Sequence, residues 1–501
     1  MTFDEPLAGI DAADLLVEGT PASSMSGSGA GPYVFRFPAR PEGATRFTWR
    51  EDHGIRDLSP AQNAFSPEPW SYDVDPNAEP PEVVISEILV TNLGTFTDED
   101  RDRSDWIEIE NRTDAPVNLG GWSLTDDRGD ADKWIFPNVE IGAGEFRIVF
   151  ASGKDRRDPE SELHSNFRLS RSGEYLALHY PDETRQFVAG FAPEFPEQRP
   201  DFSYGLDSEG AASYFEDPTP GEANDSETRF PGFAEPPQFS VDHGLYEEAF
   251  ELELTTTTPG ARIFYTLDGK EPTAERGTEY TGPIAVAGQS NRAVVTVRAT
   301  SFHGSLLPSK TATQSYIFTE HVLTQPARPT GFPTRWGAAP GVDYEMDQQI
   351  VGVGNNAELV EQGLRSLPIV SIVTDVEHIF GTRGIYSNSQ GEGIAWERPT
   401  SVELIWPDGR EGFQVDSGVR MLGGASRNPD RSPKHSFRLL FKSDYGPSKL
   451  RYPLVPDSPV DSFDTLVLRA NYNNSWIHWD SGQRARCQHI RDQFMKDTVR
   501  D

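Results

Sequence analysis

Two short stretches decide the fold: Val83-Val-Ile-Ser-Glu-Ile-Leu89 and Asp105-Trp-Ile-Glu-Ile-Glu-Asn111. In the second, Ile107 and Ile109 alternate with Glu108 and Glu110, the period of a strand with one covered face. Val117-Asn-Leu-Gly-Gly-Trp-Ser-Leu124, Trp134-Ile-Phe-Pro137, Ile141-Gly-Ala-Gly-Glu-Phe146 and Phe167-Arg-Leu-Ser170 follow as further short strands. Turn residues separate them, as between the strands of a β-sandwich. Trp106, Trp122 and Trp134 are its expected core, because large aromatics dominate burial.

The same texture continues outward. Residues 1–75 hold four strand-like runs, Asp14–Val17, Tyr33–Phe37, Arg46–Trp49 and Trp70–Val74, with a Pro-rich linker after them. Residues 236–318 hold Phe250–Leu254, Ala261–Leu267 with a turn at Asp268-Gly269, Ala293–Ala299 and Gln314–Phe318. Residues 319–366 read as a Pro/Gly-rich linker in which Met346–Asn355 holds one short strand or helix. Leu367–Val373 then opens a last domain as a buried strand, and Pro407-Asp-Gly409 turns a hairpin between Ser401–Trp406 and Gly412–Asp416. A helix is expected over 480–501, with Cys487 as a small core residue.

These segments resemble known families. Residues 1–75 are similar to part of a bacterial Ig-like domain. Residues 83–222 resemble the lamin tail domain, an Ig-like β-sandwich. In 236–318, Ile263–Thr273, Tyr280–Pro283 and Val297–Thr300 resemble the C-terminal accessory domain of chitobiase and β-hexosaminidase. That likeness carries fold only, since no paired-carboxylate glycosidase motif accompanies it; Tyr265 and Tyr280 read as packing residues rather than sugar platforms.

The last domain carries the densest chemistry. Gly418-Val-Arg-Met-Leu-Gly-Gly-Ala-Ser-Arg427 and Ser432-Pro-Lys-His-Ser-Phe-Arg-Leu-Leu-Phe441 read as two strands around a small polar turn. A Gly-rich turn exposes backbone N–H groups to an anion. Arg420, Arg427, Arg431, Lys434 and Arg438 invert the local sign in a chain of net charge -34. A basic hairpin of this kind is also what a solvated sheet edge looks like. The order Gly423, Gly424, Ser426, Arg427, Pro433, Lys434, Ser436, Arg438, followed by Leu468-Arg-Ala-Asn-Tyr-Asn-Asn-Ser475, resembles the N-terminal part of spore-coat-protein-H (CotH) kinase-like domains over 367–501. The resemblance implies ATP with Mg or Mn and phosphoryl transfer to protein. Gly423, Gly424, Ser426, Arg427 and Lys434 would then contact nucleotide phosphates, with Arg469 and Asn471 beside them. The family's acidic metal-binding and catalytic residues lie further along its chain, so no catalytic base is assigned. The expected fold class is mainly β: tandem Ig-like sandwiches followed by a truncated α+β kinase-like domain.

One loop of the lamin-tail-like module has metal-ligand spacing. Asp98, Asp100, Asp102 and Asp105 supply the hard oxygens that Ca²⁺ takes. Arg103 stands where an EF-hand has its turn glycine and Ile109 where it has its closing glutamate, so a solvated acidic loop is the competing reading.

A single cysteine excludes an intrachain disulfide. The acidic balance disfavours nucleic acid, and no apolar run is long enough to span a membrane. Met1-Thr-Phe-Asp-Glu-Pro-Leu7 lacks a signal-peptide pattern. The chain therefore reads as a fragment of a longer secreted or cell-surface protein, partnered by protein or cell-surface polysaccharide. Its alternative is a non-catalytic adhesion or structural protein.

Overall fold

A computed structural model describes residues 1, 3, 5–27, 33–38, 43–59, 62–74, 80–182, 184–224, 228–336, 342, 344–432, 434–454, 458–470, 472 and 480–487. The chain divides into two compact units, Met1–Thr228 and Arg229–Asp501. It is mainly β, as expected, with short helices.

In the first unit a small sheet runs in the order Thr20–Pro21, Leu15–Val17, Gly43–Trp49, Trp70–Val74. Trp49 sits in its core with Leu15 and Ile55, and the edges of Phe3, Phe35 and Phe65 meet its ring.

The lamin-tail-like module follows as two facing sheets. One runs Leu163–His164, Phe146–Phe150, Trp106–Asn111, Val83–Leu89, Ser203–Leu206, Ala212–Phe215. The other runs Trp134–Ile135, Ser123–Thr125, Leu176–His179, Phe187–Phe191. Ile85, Ile107, Ile109, Trp122, Trp134 and Phe136 fill the space between them. Trp106 is buried on the other side of its strand, against Leu89, Phe150 and Phe96.

That second face is the departure from the one-sided strand read from alternation. Trp106–Ile109 are buried on both sides. Phe96, from the loop that follows Val83–Leu89, covers Trp106, and residues 216–224 reach back to Glu87 and Glu108. A β-bulge at Ser86 shifts the register from Glu108↔Glu87 to Ile109↔Ile85, so that the Ser86 hydroxyl meets the Glu108 carboxylate.

In the second unit the sandwich sheet runs Gly244–Tyr246, Ala312–Phe318, Val294–Phe302, Arg262–Thr266, Thr278–Glu279. Leu252, Ile284, Val286, Val297 and Tyr316 form its core, with Tyr265 and Tyr280 packed against it. The stretch read as a linker holds three short helices, Thr319–Leu323, Gln348–Val351 and Asn356–Leu364.

Beyond it stands an antiparallel sheet: Ile369–Val373, Arg398–Ile405, Phe413–Leu422, Ser436–Leu440, Thr465–Leu468. Val402, Val419, Leu439 and Phe441 make its core. The expected hairpin forms, with Gly409 in the left-handed region. Ile369–Val373 is an edge strand rather than a buried one: among the described residues it has a neighbouring strand on one side only, and Val370 is exposed. A kinase-like α+β domain is not what this sheet shows: Val376–Phe380 and Ser481–Arg484 are its α-helices among the described residues. The helix expected over 480–501 is a single turn, Ser481–Arg484, that ends before Cys487; Cys487 is half-buried rather than a core residue, and 488–501 lie outside the described residues.

Candidate functional site

The acidic loop closes on itself before it reaches anything else. Asp98 is fully buried at its side chain and accepts from the backbone N–H groups of Asp100 and Asp102 and from the Ser104 hydroxyl. Arg101 adopts a left-handed φ of 68° to turn the loop. Oxygens of Asp98, Asp100 and Asp102 converge to within 4.8 Å of one another. The expected fourth ligand goes elsewhere: Asp105 accepts from the Thr91 N–H at 2.8 Å.

The converging oxygens hold an ammonium. Lys154 Nζ lies 2.6 Å from Asp98, 2.7 Å from Asp100 and 3.0 Å from Asp102. Arg156 adds ion pairs to Asp100 at 2.6 Å and Glu99 at 2.7 Å. Burial pulls the Lys154 ammonium down, but hydrogen bonds to the three carboxylates outweigh it and the lysine is held above its ordinary range. For Asp98, burial pushes upward, and hydrogen bonds from Lys154, Asp102 and Ser104 hold it below the usual carboxylate range. As they stand, the three carboxylates are matched to a lysine.

The Gly-rich turn has a different character. Phe413–Leu422 pairs with Ser436–Leu440, and Phe437 pairs with Leu468. This register brings Gly423, Gly424, Ser426, Arg427, Lys434 and Arg469 to one end of the sheet; Asn471 and Pro433 lie outside the described residues. Gly423 has φ 123°, and a Cβ there would run into the Ser426 hydroxyl, so the turn demands glycine. Lys434 is exposed. Arg427, by contrast, is nearly buried: it donates to the Gly391 carbonyl at 3.0 Å and pairs with Glu392. His435 Nδ1 donates to the Ser426 carbonyl at 3.0 Å and fixes the turn from below. Further along, Glu397 gathers Arg420 at 3.2 Å, Lys442 at 2.8 Å and the Tyr445 hydroxyl at 3.2 Å. The cationic surplus read from the sequence is thus partly neutralised by carboxylates from residues 392–397.

Sequence reasoning passed over a third cluster. Glu87 and Glu108 are cross-strand partners, and both are fully buried. Glu87 accepts from the Ser203 hydroxyl and from the Thr219 N–H at 3.2 Å. Glu108 accepts from Ser86 Oγ at 2.7 Å and from the Gly221 N–H at 2.6 Å. Burial pushes the Glu87 carboxyl up to about 7, against hydrogen bonds from Ser203 and Thr219. Glu108 is pushed by burial to about 8, against hydrogen bonds from the Gly221 N–H and the Ser86 hydroxyl, with the charge of Glu87 adding to the rise. Nothing local in Ile-Glu-Ile distinguishes this carboxylate from a solvated one.

Comparison with known proteins fits these modules. Residues 76–190 match the Lamin Tail Domain family model, and residues 241–313 match the Chitobiase/beta-hexosaminidase C-terminal domain. No curated protein matches the chain. Among solved structures, the sialic acid binding region of a Streptococcus sanguinis SK1 adhesin bound to 3'sLn aligns at 10% identity over 79% of this chain and 97% of that one. Its TM-score is 0.13, too low to inform the fold.

Proposed function

We propose that this chain belongs to a secreted or cell-surface protein whose β-sandwich modules serve as spacers and adhesive surfaces toward protein or polysaccharide. One observation carries the reading. The ionisable clusters that the sequence offers for chemistry are engaged as internal fasteners: Lys154 among three aspartates, Arg427 on Glu392, Arg420 and Lys442 on Glu397. Such pairs tie loops to sheets and set their geometry rather than turn over a substrate. No described helix is long and apolar enough to cross a membrane. Beads coated with the chain, flowed over polysaccharide- and protein-coated surfaces, should be retained on one of them equally with and without Mg-ATP. No retention on any surface, or transfer of label from ATP to protein, overturns the reading.

A second reading keeps the Gly-rich turn as a phosphate site of an atypical protein kinase using ATP with Mg or Mn. It is favoured by the exposed Lys434 beside a glycine-dependent turn, and by the buried Arg438 Nε, which has no hydrogen-bond partner among the described residues. Lys434 would supply a charge-assisted contact of about 1.5–3 kcal/mol to a phosphate. Calorimetric titration of ATP with Mg²⁺ should then show binding weakened roughly ten- to a hundredfold in Lys434→Ala, with unchanged thermal stability. Equal affinity, or no binding in either protein, removes this reading.

A further inference from the structure

We infer that residues 216–224 form a proton-linked latch, which stays docked on its sheet while the Glu87–Glu108 pair holds a proton and lifts as that proton is lost. The contacts are few and specific. Thr219 N–H reaches Glu87, Gly221 N–H reaches Glu108, and Thr219 Oγ1 donates to Asn224 Oδ1 at 2.9 Å. Asn224 Nδ2 ends the segment by donating to the carbonyls of Ser86 at 3.0 Å and Leu206 at 2.8 Å. Gly205 permits that approach: a Cβ there would sit 3.0 Å from Asn224 Nδ2 and inside the backbone of the neighbouring strand. The latch lays no large apolar side chain into the core; its sequence is Glu216-Asp-Pro-Thr-Pro-Gly-Glu-Ala-Asn224. Among the described residues, its polar attachments run to the two carboxylates and through Asn224.

The groups that face the pair are named by the packing. On the strands they are Ser86, Ser203 and Glu110, the last ion-paired with Arg112 at 2.8 Å. After Leu206 comes buried Asp207, which accepts from the N–H groups of Glu209 and Ala211. On the latch, Glu216, Asp217 and Glu222 are exposed. Of the charges acting on Glu108, Glu87 and Glu110 both raise it.

Docked, both carboxyls are shifted upward by burial; undocked, they regain water and return toward the ordinary range. The docked state therefore binds more protons. Its advantage is complete below the ordinary carboxylate value of 4.5 and is lost as pH rises through about 7 and about 8.

Amide hydrogen exchange on the full chain tests this. From about pH 5 to about pH 9, protection of Thr219 and Gly221, corrected for intrinsic rates, should fall by roughly tenfold or more. Amides of the Phe146–Phe150 strand should keep their protection. Glu108→Gln and Glu87→Gln should each flatten the profile. Three results overturn the latch: protection at Thr219 and Gly221 that ignores pH, a slope that survives in both variants, or loss in Phe146–Phe150 in step with the latch. Should both variants fail to fold, the wild-type comparison between latch and strand still decides.

Discussion

Lys154 stands some fifty residues from the loop whose charge it answers, and it converts a metal-like arrangement of aspartates into an ion-pair hub. The loop itself was legible: alternate acids turning back on one another are visible in the sequence, and three of the four converge. The cation was not, because Lys154 arrives on a separate loop after the Phe146–Phe150 strand, where it reads as one more surface lysine. Asp105 was misassigned for a related reason: a backbone N–H, that of Thr91, has no signature in side-chain spacing. Replacing Lys154 leaves a buried carboxylate facing two others, a defect typically costing about 3 kcal/mol. The expected result is that Lys154→Met lowers the melting temperature of the module and that added Ca²⁺ recovers part of the loss. The parent protein should melt alike in EDTA and in Ca²⁺. A parent stabilised by Ca²⁺ would show that the ion displaces the lysine; an unaffected Lys154→Met would show that the hub contributes little.

At the level of strands, alternation predicted where elements run but not what covers them. Glu108 in Trp-Ile-Glu-Ile-Glu and Glu403 in Val-Glu-Leu-Ile look like solvent-facing positions, yet both are fully buried. Period two separates the faces of a strand; only distant chain decides whether the second face is wet. For Glu403 the distant chain is the neighbouring sandwich. It accepts from the Ser315 N–H at 3.0 Å, from the Ser315 hydroxyl and from His243 Nδ1 at 2.8 Å. Ser315 also meets Ser371 at 2.8 Å, and a Cβ on Gly269 would lie 2.9 Å from the Thr374 carbonyl. The sandwich and the C-terminal sheet are therefore joined through buried polar contacts, although 319–366 reads as a spacer between them. Protease cleavage within 324–347 should leave the two pieces associated in gel filtration. Glu403→Ala strands the Ser315 N–H and costs about 1–3 kcal/mol or more, so its nicked pieces should separate at lower denaturant. Parent pieces that part as readily as the variant's would show the junction to be weak.

At the scale of the whole molecule, the modules differ in how they would bear load, which is where the spacer reading becomes quantitative. The first unit, Met1–Thr228, holds its own cores around Trp49 and around Trp122 and Trp134; the second, Arg229–Asp501, holds its own around Tyr316 and Val419. Each unit holds hydrophobic cores of its own, so each has the means to unfold as a separate event. Within the second unit, Glu403 pins two sheets together, so sandwich and C-terminal sheet should not yield one after the other. Pulling the full chain by its ends should extend it in discrete steps, with the two units yielding separately. Later steps should include one whose length corresponds to the sandwich and C-terminal sheet together, at about 3.5 Å per residue. In Glu403→Ala that step should split into two shorter ones of the same total. A parent trace already split there would show that the contacts of Glu403 with Ser315 and His243 do not couple the two sheets mechanically.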